Sequence, residues 1–466
     1  MTTNLNALAE ASGNAEQAST TATSHFSAAR LKDKLVLDTR NYFVSKIIPG
    51  LMGLLSVTVF VRLVGYEQYG RYAVLVALVT ACAAGGAGWL GQGILRFQSQ
   101  NTGVQEEETF GRAVNLGVLL SATLGTATVV VILWSGPGRS GFVTAAALIL
   151  FVPMLMYTVE LTRLQASLRS GAVVTAESIR AISSFLIPLI LIQATSSRNY
   201  LLLLCGVGVG YVFPLLGQLR ARSRQNIRGQ WRMMRFGETE RRALSTVWNY
   251  GWPVALWLFC QQSLVVSDRF FIRRSWGYSA AGVYASTYDV IVRSFSLLFA
   301  PITLSVHTVL MHHWNQGDRQ STMPALKKAI KYELLLFAPV ATGLFFLNAQ
   351  VARLILGKPN PEAAAAVLPL AVGGLLWQLA LLAHKPLEML CRTKRMLFGV
   401  ISALVTNVAG NYFLVPRFGF EAAAYLSVAS SCLYLLMLLF LIPVDEFRAA
   451  ANERSCIVVP VEDTST

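Results

Sequence analysis

Uncharged stretches of roughly twenty residues recur along the whole chain, and they constrain the fold more than any other feature. Two examples are NLGVLLSATLGTATVVVILW, from Asn115 to Trp134, and YLSVASSCLYLLMLLFLIPV, from Tyr425 to Val444. An α-helix rises 1.5 Å per residue, so about twenty apolar residues cross about 30 Å of hydrocarbon. The composition agrees. Charged residues are only 14% of the chain and hydrophobic ones 54%, whereas a soluble globular protein needs about 25% charged residues for its surface. A mean hydropathy of +0.52 likewise excludes a water-soluble enzyme and a disordered chain.

The pattern predicts an all-α polytopic membrane protein of about twelve spans. They fall at 42–63, 70–91, 112–134, 141–161, 174–194, 199–219, 247–272, 281–306, 329–348, 362–384, 396–415 and 421–443. Residues 1–40, rich in Ala, Ser, Thr and Asn, read as a disordered tail with no cleaved signal peptide. The spans divide into a six-helix lobe over 41–219, a basic connection over 220–246, a second lobe over 247–443 and a tail over 444–466. Prolines within spans, such as Pro49, Pro153, Pro188, Pro253, Pro301 and Pro369, suit a membrane bundle, where neighbouring helices satisfy the freed carbonyls. The six cysteines are scattered through apolar runs and imply neither a disulfide framework nor a metal site.

Orientation follows from the basic residues. With the N-terminus inside, about 27 Lys and Arg fall on the tails and even-numbered connections, against about 10 on the other face. Arg220, Arg222, Arg224, Arg228, Arg232, Arg235, Arg241 and Arg242 crowd the middle connection. Both termini are therefore expected in the cytoplasm, and the net charge of +15 reads as a topology signal that also attracts anionic membrane lipids. No nucleic-acid-binding motif accompanies it.

A duplicated motif organises the spans. GYEQYGRYA (Gly65, Tyr66, Gly70, Tyr72, Ala73) follows the first, and GYSAAGVYA (Gly277, Tyr278, Gly282, Tyr284, Ala285) follows the seventh. Both fit G-Y-x-x-x-G-x-Y-A. Six spans is an even number, so both copies enter the membrane from the same side. The two halves should be related by an axis along the membrane normal, as in transporters with parallel repeats, around a central cleft.

Together with GQGILRFQSQ, SDRFFIRRSWGYSAAGVYASTYDV and LVPRFGFEAAAYLSV, these segments make the chain resemble the polysaccharide transporter family. That family comprises flippases of O-antigen and other lipid-linked oligosaccharides, within the multidrug/oligosaccharidyl-lipid/polysaccharide exporter superfamily, and the likeness runs from about residue 41 to 443. It implies a V-shaped pair of six-helix lobes in the bacterial inner membrane. Such proteins move undecaprenyl-diphosphate-linked oligosaccharide to the outer leaflet, coupled to an ion gradient or membrane potential. A polymerase and a chain-length regulator are the implied pathway partners. The chain has no G-x-x-x-x-G-K-[ST] loop, and no cofactor is expected.

Arginine suits a diphosphate through its planar fork of donors. The candidate substrate-binding residues are Arg62, Arg96, Arg180, Arg269 and Arg293, with Glu160, Glu177, Asp268 and Asp289 as coupling or ion-pair partners. Asp289 and Arg293 stand four apart on one helix face, Arg180 follows Glu177 by three, and Arg269 adjoins Asp268. His307, His312 and His313 read as interfacial residues, not metal ligands. Two other functions compete. A multidrug exporter would favour an apolar cleft with carboxylates that trade ions, and a membrane polymerase would need a large outer loop that the short connections do not offer.

Overall fold

The computed structural model describes residues 44–98, 104–135, 140–224, 237–315, 319–390, 392–443 and 447. The N-terminal tail, nearly all of the C-terminal tail and the core of the basic connection lie outside the described residues.

The first lobe contains α1 (Val44–Val64), α2 (Tyr66–Phe97), α3 (Val104–Ser135), α4 (Gly141–Ala166), α5 (Ser170–Thr195) and α6 (Tyr200–Arg224). In the second, α7 (238–276) and α8 (278–315) are two helices that fold back on each other at Gly277, so that Asp268 meets Tyr284 and Arg269 meets Asp289. They are followed by α9 (Thr322–Leu356), α10 (Pro361–Ala383), a single turn at Lys385–Met389, α11 (Thr393–Phe418) and α12 (Phe420–Leu441). Ten of these helices are long and apolar enough to cross a membrane. The remaining two, α7 and α8, carry Asp268, Arg269, Asp289 and Arg293. The molecule is an all-helical, multi-pass membrane protein of two six-helix lobes.

Several helices outrun the spans expected from hydropathy. The second span, expected at 70–91, is a 32-residue helix, and the ninth, expected at 329–348, has 35 residues. Hydropathy marks the part that suits hydrocarbon, while backbone hydrogen bonding continues into polar turns such as the Glu106 and Glu107 turn of α3. For the same reason α7 begins inside the expected connection, at Glu238.

The lobes repeat one packing order. In the first, α2 packs on α4, α4 on α6 and α6 on α5; six helices on, α8 packs on α10, α10 on α12 and α12 on α11. The duplicated motif supplies the joint between them. Its leading glycines, Gly65 (φ 82°) and Gly277 (φ 81°), turn one helix directly into the next. A β-carbon there would meet nothing within 4 Å, so backbone conformation alone demands glycine. Its second glycines answer a different need. A β-carbon on Gly70 would strike the carbonyl oxygen of Tyr278, and one on Gly282 the carbonyl oxygen of Tyr66. The two copies cross each other, each on the other's backbone.

Two seams continue from this crossing. Along one, α2 meets α7: Gly93 faces Val247, Gly88 lies against Ala255, and the rings of Trp89 and Trp248 meet edge to face at 5.2 Å. Along the other, α1 meets α8, with Gly50 against Leu297 and Gly53 beneath the Arg293 guanidinium. Lipid tails are as apolar as leucine, so close van der Waals approach at small residues is what associates helices here.

Candidate functional site

Between the seams lies a cavity of about 200 Å³, walled by α1, α2, α5 and α6 of the first lobe and by α7 and α8 of the second. Its charged wall residues are Arg180, Arg269, Asp289 and Arg293, so three guanidinium groups face one carboxylate. Tyr69, Tyr72, Tyr211, Ser56, Thr80 and Ser184 complete its polar surface.

Each arginine is held differently. Arg180 of α5 donates from Nε (3.2 Å) and Nη2 (2.7 Å) to the same Glu177 oxygen. The Tyr157 hydroxyl donates to the other Glu177 oxygen at 3.0 Å. The rings of Tyr157 and Tyr211 lie 5.9 and 5.4 Å from the guanidinium carbon, so α4, α5 and α6 all orient this one side chain. Arg269 of α7 is only 4% exposed and is paired with Asp289 of α8. Its Nε is buried with no partner among the described residues. Arg293, one turn beyond Asp289, forms no ion pair or hydrogen bond with any described residue, and the absent side chain of Gly53 makes room for it.

Of the pairings that sequence proximity suggests, Glu177 with Arg180 forms and the other two do not. Asp289 binds Arg269 across two helices, and Arg293 four residues on is left uncommitted. Asp268 does not pair with its neighbour Arg269, because consecutive helical residues point about 100° apart. It turns instead into the second lobe. There it accepts hydrogen bonds from the Tyr284 hydroxyl at 2.6 Å and the Asn411 amide at 2.8 Å. Asn411 also donates to the Asn407 carbonyl, and Ser267 donates to the Asn407 side-chain oxygen at 2.8 Å. The Asn411 side-chain oxygen is buried and unpartnered among the described residues. These hydrogen bonds tie α7, α8 and α11 together around one buried carboxylate. No cluster of three or more His, Cys, Asp or Glu that could hold a metal occurs among the described residues.

The other candidates lie apart. Arg62 is exposed and donates to the Leu354 carbonyl, while Tyr66 donates to the Leu356 carbonyl at 3.2 Å; together they cap the end of α9. Arg96 is exposed in the last turn of α2. Glu160 pairs with Arg163 at 2.7 Å in a separate cavity of about 540 Å³ within the first lobe. Arg163 in turn donates to Asn115 at 2.9 Å. The side chains of His307 and His312 lie outside the described residues. Asn407 and Asn411 escaped the sequence reading, although two amides four apart in an apolar run were a visible signal.

No family model and no curated protein matches the chain. Solved structures do match its fold. The lipid II flippase MurJ, in an inward closed conformation, superposes with a TM-score of 0.67 at 16% identity, covering 89% of this chain and 90% of that one. An inward-facing multidrug resistance transporter of the MATE family, in the MOP superfamily, gives 0.65 at 14% identity, covering 87% and 98%. A MOP superfamily transporter from Pyrococcus furiosus, described with a binding pocket of reversed polarity, gives 0.62 at 14% identity, covering 91% and 97%. The chain has the fold of these transporters.

Proposed function

We propose that the protein is a flippase that carries a prenyl-diphosphate-linked oligosaccharide between membrane leaflets by alternating access of its two lobes. The observation that carries this reading is the convergence of Arg180, Arg269 and Arg293 on one central cavity that offers a single, already engaged carboxylate. Such a surface suits an anion with several oxygens. A sugar diphosphate cannot cross hydrocarbon unaided, because removing its charges and hydroxyls from water costs many times the thermal energy. Guanidinium groups replace that hydration with charge-assisted hydrogen bonds, and the prenyl tail can stay in lipid.

Arg293, with no partner of its own, takes the first phosphate. Arg180 is oriented by Glu177 and reaches from the opposite lobe. Arg269 is shared with Asp289, so cargo competes with an internal counter-ion and can be released again. At about 200 Å³ the cavity is smaller than the ~300–1,000 Å³ typical of small-ligand sites. Loading therefore requires one of the two glycine-lined seams to part, and closing it delivers the head group to the other side.

The lipid II flippase fold supports this reading. So does the balance of basic residues, which favours an orientation with both termini in the cytoplasm. Asp268, with its Asn407 and Asn411 oxygens, is the proposed coupling group. The MATE likeness makes export of drugs the second reading, but an organic cation would meet three like charges in the cavity. The test is reconstitution. Proteoliposomes should move a fluorescent prenyl-diphosphate glycan out of reach of a membrane-impermeant quencher. Movement of cationic dyes with none of the glycolipid would replace this reading with the second.

A further inference from the structure

The second lobe has a cavity of its own, of about 260 Å³, walled by α7, α8, α10 and α12. It is the counterpart of the arginine cavity: both lie against the helix that follows the motif glycine, α2 in one lobe and α8 in the other. The chemistry differs. No charged residue lines the second cavity. Among the polar side chains on its wall, Gln261, Ser296, Gln378 and Ser431 hydrogen-bond to no described residue, while Ser430 donates to the Leu426 carbonyl at 2.7 Å.

Trp377 stands among them, half-buried. Its ring stacks on Tyr434 at 5.2 Å and 25°, and the Tyr434 hydroxyl accepts from the Trp257 indole at 3.0 Å. The indole is thus fixed from behind, while its own N–H donates to no described residue. Helix α8 separates the two cavities with adjoining faces. Asp289 and Arg293 line the arginine cavity, and Tyr288, Val292 and Ser296 line this one. Tyr288 also lies 6.0 Å from the Arg269 guanidinium, so a single side-chain layer divides a cationic chamber from a neutral one.

We infer that this neutral cavity is a carbohydrate subsite that receives sugar of the cargo while the arginines hold its diphosphate. The inference rests on the flippase reading and adds the class of group recognised beyond the phosphates. Uncommitted primary amides present a donor and an acceptor side by side, which is what vicinal sugar hydroxyls require. Hydroxyls of serine extend the set in either sense. A rigid indole offers an apolar plate to the C–H face of a pyranose, with an N–H at its rim. An anionic ligand would find no counter-charge here, and an alkyl chain would leave four polar side chains unsatisfied.

The test compares two ligands on the full-length protein in detergent, by equilibrium binding. One is a prenyl diphosphate bearing a neutral disaccharide, and the other is the same prenyl diphosphate without sugar. Wild-type protein should bind the sugar-bearing form about tenfold more tightly, the yield of two or three net hydrogen bonds. Trp377→Ala and Gln378→Ala should each erase most of that preference and leave binding of the bare diphosphate unchanged, which also shows that the variants fold. Trp377→Phe should retain most of it. Equal wild-type affinity for the two ligands overturns the inference and leaves the flippase reading intact. So does a preference that survives both alanine substitutions, or equal loss of both ligands in both variants. Failure of the wild type to bind either ligand removes the flippase reading, and the subsite with it.

Discussion

Arg269 of α7 is bound by Asp289 of α8, while Arg293, one turn further along α8, has no ionic partner among the described residues. The two cations share a cavity and should respond differently to removal. Arg293→Ala should abolish glycolipid transport with the protein still present in the membrane at normal levels and with near-normal thermal stability. Arg293→Lys should recover only part of the activity, since an ammonium lacks the planar fork. Transport assays on matched amounts of reconstituted protein decide this.

Arg269→Ala leaves the largely buried Asp289 without its counter-charge, at a cost on the order of 3 kcal/mol. Its first symptom should be a lower unfolding temperature in detergent. The double substitution Arg269→Ala with Asp289→Ala should be more stable than Arg269→Ala alone, because no orphaned carboxylate remains. A double variant no more stable than the single one would show that the pair is not what holds α7 to α8.

Arg62 and Arg96 give the contrary expectation. Both are exposed and lie away from the central cavity, and Arg62 serves the end of α9. Arg62→Ala and Arg96→Ala should each retain transport within about twofold of wild type, with stability changed by less than about 1 kcal/mol. Loss of transport in either would place cargo on a route that bypasses the cavity.

The α2–α7 seam can be locked. A β-carbon on Gly88 would lie 3.3 Å from that of Ala255, close to the ~3.8 Å separation of disulfide-bonded residues. Gly88→Cys with Ala255→Cys, in protein whose own cysteines are replaced by serine, should crosslink on mild oxidation. Transport should stop and return on reduction. Unimpaired transport by the crosslinked protein would show that this seam does not open during the cycle.

Asp268→Asn keeps the size of the side chain and removes the charge, and its amide oxygen can still accept one of the two hydrogen bonds that Tyr284 and Asn411 donate. Transport driven by an imposed ion gradient should fall to the rate seen with no gradient, and binding of the cargo should stay within about threefold of wild type. Equal loss of gradient-driven and gradient-free transport would make Asp268 a structural residue.

The architecture was legible because it rests on two one-dimensional signals: the spacing of apolar runs and the doubled G-Y-x-x-x-G-x-Y-A. The packing order α2–α4–α6–α5, repeated as α8–α10–α12–α11, is what a duplication places there. The motif did not disclose that its glycines answer two separate demands, backbone angle at Gly65 and Gly277 and clearance at Gly70 and Gly282. Nor could spacing rank the charged residues. Asp268 and Arg269 adjoin in sequence, yet one faces the second lobe's interior and the other the central cavity, and Asp289 chooses a partner twenty positions back over one four positions on. Those choices depend on how helices are rotated against each other, which only their packing decides. The uncharged cavity around Trp377 left no mark at all, since lone Ser, Gln and Trp residues are ordinary in membrane helices.

The crossing of Gly70 with Gly282 leaves the machine with a fulcrum made of bare main chain. Under the proposed alternating access the halves would swivel about that point as shears do about a rivet, with the Arg71 guanidinium resting over the Tyr278 ring beside it. Each blade contributes half of the rivet. A side chain on either glycine would strike the main chain of the other copy, so the two positions constrain each other.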